Sequence, residues 1–219
     1  MSGDWRYRLS KDDLLWAARM VEGETLSRRA GKEADARAVL WTMTQLFSPE
    51  GQRAKYGRER FASFTGLIRA YSQPINPRWT EAGEFCRPGG RFHGQDECSD
   101  NRLRARAQLQ QASWSGIDPA LRREVVLWAT GRSVNNVPKA IEFAADRVAR
   151  SFIERNAGAR QVARFHNTFV ATSGSLGWLA LPQVEGQVRA GVSGGLVVAA
   201  VVAVGGFAGW AAMRSFASD

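Results

Sequence analysis

The sequence predicts a mainly helical domain over residues 1–185, followed by one hydrophobic helix over residues 190–213 that crosses a membrane. Apolar residues recur every three to four positions along most of the chain, which is the period of an amphipathic helix. Gly and Pro signals separate these stretches, and the last stretch carries no charge. The chain has 219 residues, 44% of them hydrophobic, which suffices for one domain of typical size with an appendage.

The first helix is predicted to begin after Ser10, because this N-cap residue precedes Asp12 and Asp13 in the first turn. A second helix is predicted over Ala36–Phe47. Its apolar residues form one buried face, namely Ala36, Val39, Leu40, Met43, Leu46 and Phe47.

Three further helices are predicted downstream. The first is rich in Arg and Gln and covers Asp100–Ala112, and the second begins at Asp118 and Pro119 and stops at Gly131. The third is amphipathic and covers Lys139–Arg155. Residues 164–180 are rich in Gly, Ser and Thr, which favours short strands or irregular backbone.

The two cysteines, Cys86 and Cys98, are separated by eleven residues rich in Gly and polar side chains. A disulfide across so short a loop contributes about 3 kcal/mol in an oxidising compartment. The alternative is two free thiols. Two cysteines and an isolated His93 are too few for a zinc site, and the chain has no phosphate-binding loop or dinucleotide fingerprint, so we expect neither metal nor cofactor.

The segment 190–213 contains no charged residue, and at about 1.5 Å per residue it matches a hydrocarbon core of roughly 30 Å. Arg189 and Arg214 flank it, and Trp210 lies near one end, where interfacial aromatics are common. A buried core helix is the alternative. One Arg on each side leaves the orientation of this helix in the membrane open. At the other end of the sequence, the first residues lack the apolar region of a cleaved signal peptide.

The formal net charge is +9, which favours polyanionic partners. Nucleic acid, anionic lipid head groups and the bacterial cell wall all belong to this class. Charge alone does not choose among them.

Two carboxylates, Glu22 and Glu24, end the first helix near apolar Trp16, Met20 and Val21. Partial burial raises a carboxyl pKa, as a general acid for glycoside cleavage requires. On these grounds alone, two ordinary helix-end acids are the favoured interpretation.

A resemblance favours the catalytic interpretation. The segment Leu14-Leu-Trp-Ala-Ala-Arg-Met-Val-Glu-Gly-Glu24, followed by Ala36–Phe47, resembles the opening of SleB-type cell-wall hydrolases. This family resembles lytic transglycosylases and has a lysozyme-like helical fold, and its catalytic Glu falls on Glu24. Glu22 stands where the family usually has Tyr, and Gln45 stands near the family's Asn-Arg.

A second block, Phe61–Trp79, is similar to a stretch of phage-encoded peptidoglycan-degrading proteins. The resemblance implies a sugar cleft in which polar side chains bind N-acetyl and hydroxyl groups while one aromatic ring stacks on a sugar. The residues in these roles are Tyr71, Ser72, Gln73, Asn76 and Trp79. A capped turn around Asn76-Pro77 is the alternative.

The resemblance thus implies a peptidoglycan-cleaving glycosidase that acts on the MurNAc–GlcNAc bond, with Glu24 as the general acid. Membrane anchoring without a signal peptide fits a phage or prophage protein that is carried in a virion and acts in the bacterial periplasm or envelope. The alternative is a non-catalytic, membrane-anchored virion or envelope component. Such a component would contact ejection-complex proteins or DNA through its Arg-rich helices.

Overall fold

The structure, a computed structural model, describes residues 6–25 and 30–176, which belong to one unit, Met1–Gly186. Helices dominate these residues, and this confirms the predicted mainly helical class. No helix within the described ranges is long and apolar enough to cross a bilayer. The hydrophobic helix predicted over residues 190–213 lies outside them.

Helix α1 spans Lys11–Thr25 and begins where the sequence predicts. The Ser10 hydroxyl accepts a hydrogen bond from the Asp13 amide at 3.0 Å, and the Asp13 carboxylate accepts one from the Ser10 amide at 2.9 Å. Asp13 also accepts from the Thr65 amide and hydroxyl, which ties α1 to the next layer. Burial alone would raise the pKa of Asp13, but these hydrogen bonds lower it below its usual value.

Helix α2, Lys32–Phe47, forms the centre of the core. Every residue from Ala38 to Phe47 is buried, so α2 is covered on all sides rather than on one face as predicted. It packs against α1, against α4 (Phe64–Tyr71) and against α6 (Pro119–Ala129). Trp128 of α6 is fully buried and donates its indole N–H to the Thr44 hydroxyl at 2.9 Å.

The remaining helices complete the fold around this core. Helix α5 runs over Asp100–Gln111 and α6 begins with an Asp118 cap, so both predicted starts are confirmed. The others are α3 over Pro49–Tyr56, α7 over Asp146–Arg155 and the short α8 over Ser173–Leu176.

A three-stranded antiparallel sheet packs beside the helices. Its strands are β1 (Glu142–Ala144), β2 (Arg160–Arg164) and the buried central strand β3 (Thr168–Ala171), in the order β1-β3-β2. Strand β3 confirms the prediction of short strands over residues 164–180, whereas β2 ends at the first residue of this region. The predicted helix Lys139–Arg155 is wrong in its first third, where β1 pairs with β3.

A buried glutamine explains why no helix forms before β1. Gln45 donates to the carbonyl oxygens of Val137 and Ala140 and accepts from the amides of Asn135 and Lys139. Lys139 has a positive φ of 70°, which is incompatible with a right-handed helix. The loop is therefore fixed to α2, and Glu142 follows it at the start of β1.

Cys86 and Cys98 form a disulfide in the structure. The loop that it closes leads into α5 and covers a small aromatic cluster of Trp79, Phe85 and Phe92. The disulfide thus joins the two ends of a loop whose backbone hydrogen bonds form a series of turns.

Candidate active site

The Glu24 side chain lies in the last turn of α1, half-buried against the segment that follows α4. The Ser72 hydroxyl donates a hydrogen bond to Glu24 Oε1 at 2.6 Å. The preceding Gly23 permits this approach, since a Cβ there would meet Pro74 Cβ at 2.5 Å. The structure thus brings together two of the residues that the sequence singled out.

Burial raises the pKa of Glu24 to about 7. The hydrogen bond from Ser72 stabilises the charged form and lowers the pKa in part, while the negative charge of Asp35 raises it further. A carboxyl group with a pKa near neutrality is present in both protonation states at physiological pH. It can therefore donate a proton and later accept one.

A second carboxylate, Asp35 of α2, lies near Glu24 and is 1% exposed. Both of its oxygens accept hydrogen bonds from Asn167, one from the backbone amide and one from the side-chain amide, each at 3.3 Å. The same Asn167 side chain donates to the Glu24 carbonyl oxygen at 3.2 Å. Asn167 thereby joins the end of α1 to the start of α2 and to β3.

A cavity of about 400 Å³ opens beside the end of α1. Thr25, Asp35, Phe165 and His166 contribute to its walls, together with Ala30, Gly31 and Lys32. Among the described residues, this wall includes Thr25, the residue after Glu24, and Asp35, whose charge acts on Glu24, but not Glu24 itself. Concave sites with convergent polar groups are the usual form of ligand pockets.

Tyr71 contacts the sheet. Its hydroxyl donates to Glu142 and accepts from the Phe143 amide at 3.3 Å, and Glu142 also forms an ion pair with Lys55. Burial raises the pKa of Tyr71 above its ordinary value, and the nearby charges of Tyr56 and Glu24 contribute to the increase. Tyr71 therefore lies near both Glu24 and the ion pair of Glu142 with Lys55.

The remaining predicted sugar-binding residues are placed differently. Gln73 begins a 3-10 turn, Gln73–Ile75, directly after Ser72 and is half-exposed. Asn76 is buried, its amide group donates to the Ala70 carbonyl, and its side-chain oxygen accepts from the Arg78 amide. Asn76 therefore serves the capped turn, which was the alternative interpretation.

Trp79 lies in the aromatic cluster beneath the disulfide loop. Its ring stacks on Phe92 with centroids 4.8 Å apart, and the Arg106 guanidinium lies 5.2 Å from its centroid. Arg106 also donates to the Trp79 carbonyl oxygen. These contacts give Trp79 a packing role within the fold rather than the sugar-stacking role that the resemblance implies.

The neighbouring Glu22 has a structural partner. Its carboxylate accepts a hydrogen bond from the Asp118 amide at 3.0 Å, at the start of α6. Asp118 in turn forms an ion pair with Lys32 of α2. Glu22 therefore links α1 to α6, and Glu24 is the better candidate acid of the two.

Comparisons of the chain with protein-family models, with curated proteins and with solved structures found no match. Over the described ranges, no group of His, Cys, Asp and Glu side chains is arranged to hold a metal ion. Sequence reasoning missed Asp35 and Asn167, because neither belongs to a recognisable motif and they meet only in the folded chain.

Proposed function

We propose that this chain is a peptidoglycan-cleaving glycosidase with a lysozyme-like fold and that Glu24 is its general acid. One observation carries the proposal: a half-buried carboxyl group, hydrogen-bonded by Ser72, has a pKa raised to about 7. The next residue, Thr25, and the nearby Asp35 line a cavity. The resemblance of Leu14–Glu24 to SleB-type cell-wall hydrolases supplies the substrate class. The bond cleaved is the one between MurNAc and GlcNAc.

In the first step, protonated Glu24 donates its proton to the bridging glycosidic oxygen. The bond between this oxygen and the anomeric carbon breaks, the GlcNAc side leaves as an alcohol, and positive charge develops on the MurNAc ring. The Glu24 carboxylate that results lies close to this charge. The Ser72 hydroxyl stabilises the carboxylate, since it donates a hydrogen bond to Oε1.

In the second step, the Glu24 carboxylate accepts the proton of the MurNAc 6-hydroxyl. The 6-oxygen forms a bond to the anomeric carbon, which yields a 1,6-anhydro ring and returns Glu24 to its protonated form. This route needs one carboxylate, whereas hydrolysis usually needs two. Asp35 lines the cavity, but both its oxygens already accept hydrogen bonds from Asn167, which makes it a weaker candidate for the activation of a water molecule. We therefore favour a lytic transglycosylase over a muramidase.

The proposed location depends on the uncharged segment 190–213. We propose that this segment anchors the enzyme in a membrane, with the catalytic domain acting on the cell wall in the bacterial periplasm or envelope. We further propose a phage or prophage origin, with transport in the virion and local opening of the wall during genome entry.

Clearing of purified peptidoglycan by residues 1–185 tests the proposal. We expect wild type to clear the suspension, Glu24→Gln to lose at least 100-fold in rate, and the matched variant Glu22→Gln to clear normally. Anhydro-muropeptides in the products support the transglycosylase, and reducing ends support a muramidase. If clearing survives in Glu24→Gln and vanishes in Glu22→Gln, the general acid is Glu22 and our assignment to Glu24 is wrong.

One observation favours a second candidate, a non-catalytic virion or envelope component that contacts DNA. Exposed arginines gather on α7 and the neighbouring β2, namely Arg147, Arg150, Arg155, Arg160 and Arg164. Such a surface binds phosphate in a salt-dependent manner. The non-catalytic component is favoured if wild type does not clear peptidoglycan and binds DNA with an affinity that falls steeply between 50 and 200 mM salt.

A further inference from the structure

The wall of a second cavity includes Glu142, which accepts a hydrogen bond from the Tyr71 hydroxyl. The volume of this cavity is about 440 Å³, which is in the range of small-ligand pockets. It is bounded by α3, by the start of β1, by the end of α7 with the turn that follows, and by the segment after β3. The polar residues of its wall are Lys55, Glu142, Arg155, Asn156 and Thr172.

The cavity carries more positive than negative charge. Lys55 and Arg155 contribute two cations, while Glu142 contributes one anion and is held by both Lys55 and the Tyr71 hydroxyl. Burial lowers the pKa of Lys55 to about 8. Arg155 is exposed at the rim, with its Nε atom donating to the Ser151 carbonyl.

One polar atom in the wall lacks a partner. The Thr172 hydroxyl oxygen is buried and forms no hydrogen bond with any of the residues that the structure describes. A buried hydroxyl left unpaired costs free energy, which a ligand that forms the missing bond recovers. The neighbouring Gly174 packs closely on Ala54, since a Cβ there would lie 3.1 Å from Ala54 Cβ, so this part of the wall is fixed.

We propose that this cavity binds the carboxylate-bearing peptide attached to the MurNAc of the substrate. Arg155 at the rim and the Thr172 hydroxyl would hold a peptide carboxylate, and the Lys55–Glu142 pair would face the peptide backbone. This inference rests on the proposed function, which supplies the glycan strand. It extends that function, because the enzyme would recognise the peptide as well as the sugars.

One hydrogen bond connects the cavity with the surroundings of Glu24. Tyr71 is near enough to Glu24 for the two side chains to interact electrostatically, and its hydroxyl contacts Glu142 in the wall of the cavity. The peptide leaves the same sugar whose glycosidic bond Glu24 would cleave, and four extended residues span about 14 Å.

The test is the binding of the tetrapeptide L-Ala-D-Glu-L-Lys-D-Ala to the full-length chain in detergent micelles, measured by calorimetry. The peptide has no glycosidic bond, so binding is measured without turnover. We expect a submillimolar Kd, a weakening of at least five-fold for Arg155→Gln and for Thr172→Val, and a similar weakening when the peptide carboxylates are amidated. The control Arg150→Gln, one turn earlier on α7, should bind as wild type does.

The two proposals fail in different ways. The peptide site alone is overturned if wild type clears peptidoglycan but does not bind the peptide. It is also overturned if Arg155→Gln and Thr172→Val bind the peptide as well as wild type does. Specific peptide binding without any clearing would overturn the glycosidase and support the assignment of the cavity to a carboxylate-bearing peptide. Circular dichroism of each variant confirms that the fold is intact.

Discussion

At the scale of single residues, the environment of Glu24 sets its chemistry. Burial raises its pKa to about 7, and the Ser72 hydroxyl opposes part of this effect because it stabilises the charged form. Glu22, two residues earlier, is bonded to the Asp118 amide instead. Two glutamates that look equivalent in the sequence therefore have different roles.

Removal of the Ser72 hydroxyl should raise the pKa of Glu24 further. The charged Glu24 carboxylate loses a hydrogen-bond donor in Ser72→Ala. We therefore expect the pH above which the clearing rate falls to increase by about 1 unit. The pH dependence of peptidoglycan clearing measures this. Ser113→Ala, which alters an exposed turn, is the control. An unchanged or lowered alkaline limb would show that Ser72 does not stabilise the catalytic carboxylate.

The raised pKa of Glu24 also predicts a pH-dependent stability. A carboxyl group that binds its proton more tightly in the folded state favours folding at low pH. This contribution is fully present below its ordinary pKa of 4.5 and is lost as the pH rises through about 7. Between pH 4.5 and 8, the free energy of unfolding of wild type should therefore fall by about 1–3 kcal/mol relative to that of Glu24→Gln. Urea unfolding of both proteins at several pH values measures this free energy. A difference between wild type and Glu24→Gln that does not change with pH would contradict the prediction.

At the scale of elements, the sequence predicted helices well where local signals agree with packing. The Ser10 cap, the Asp118 cap and the start of α5 depend on residues close in sequence, and all three are confirmed. The first part of the predicted Lys139–Arg155 helix failed because Gln45, far away in the chain, fixes the preceding loop. Local periodicity contains no information about such a contact.

The candidate site was predictable only in part for the same reason. Glu24 and Ser72 were found because the resemblance marked both blocks, and the structure joins them. Asn76 and Trp79 belong to a turn and to an aromatic cluster, which short motifs do not distinguish from a sugar cleft. Asp35 and Asn167 meet across the chain, so only the fold reveals their contact.

The contact between the end of α1 and the segment after α4 depends on Gly23. In Gly23→Ala, the new Cβ would lie 2.5 Å from Pro74 Cβ, and the rigid proline ring cannot yield easily. We expect a loss of stability of about 1–3 kcal/mol and slower clearing, because Glu24 moves away from Ser72. Gly116→Ala is the matched control, since its Cβ meets only the Ser113 hydroxyl at 3.6 Å. Equal stability and activity of the two variants would contradict the close packing.

At the scale of the whole molecule, the proposal combines a compact catalytic unit with a membrane anchor. Flotation with neutral phosphatidylcholine vesicles separates anchoring from attraction of the basic surface to anionic lipid. We expect the full-length chain to float and residues 1–185 to stay at the bottom of the gradient. A charge in the middle of the anchor costs about 3 kcal/mol, so Leu196→Arg with Val202→Arg should reduce flotation strongly. A full-length chain that does not float would exclude the anchor.

The central claim is that the fold raises the pKa of the Glu24 carboxyl group to the range of a general acid. An NMR titration of the protein with ¹³C-labelled glutamate tests this most directly, with Glu24→Gln used to assign the signal. The account predicts a titration midpoint of about 7 for Glu24. A midpoint near the ordinary value of 4.5 would contradict it, because the side chain would then be ionised and unable to protonate a glycosidic oxygen at neutral pH.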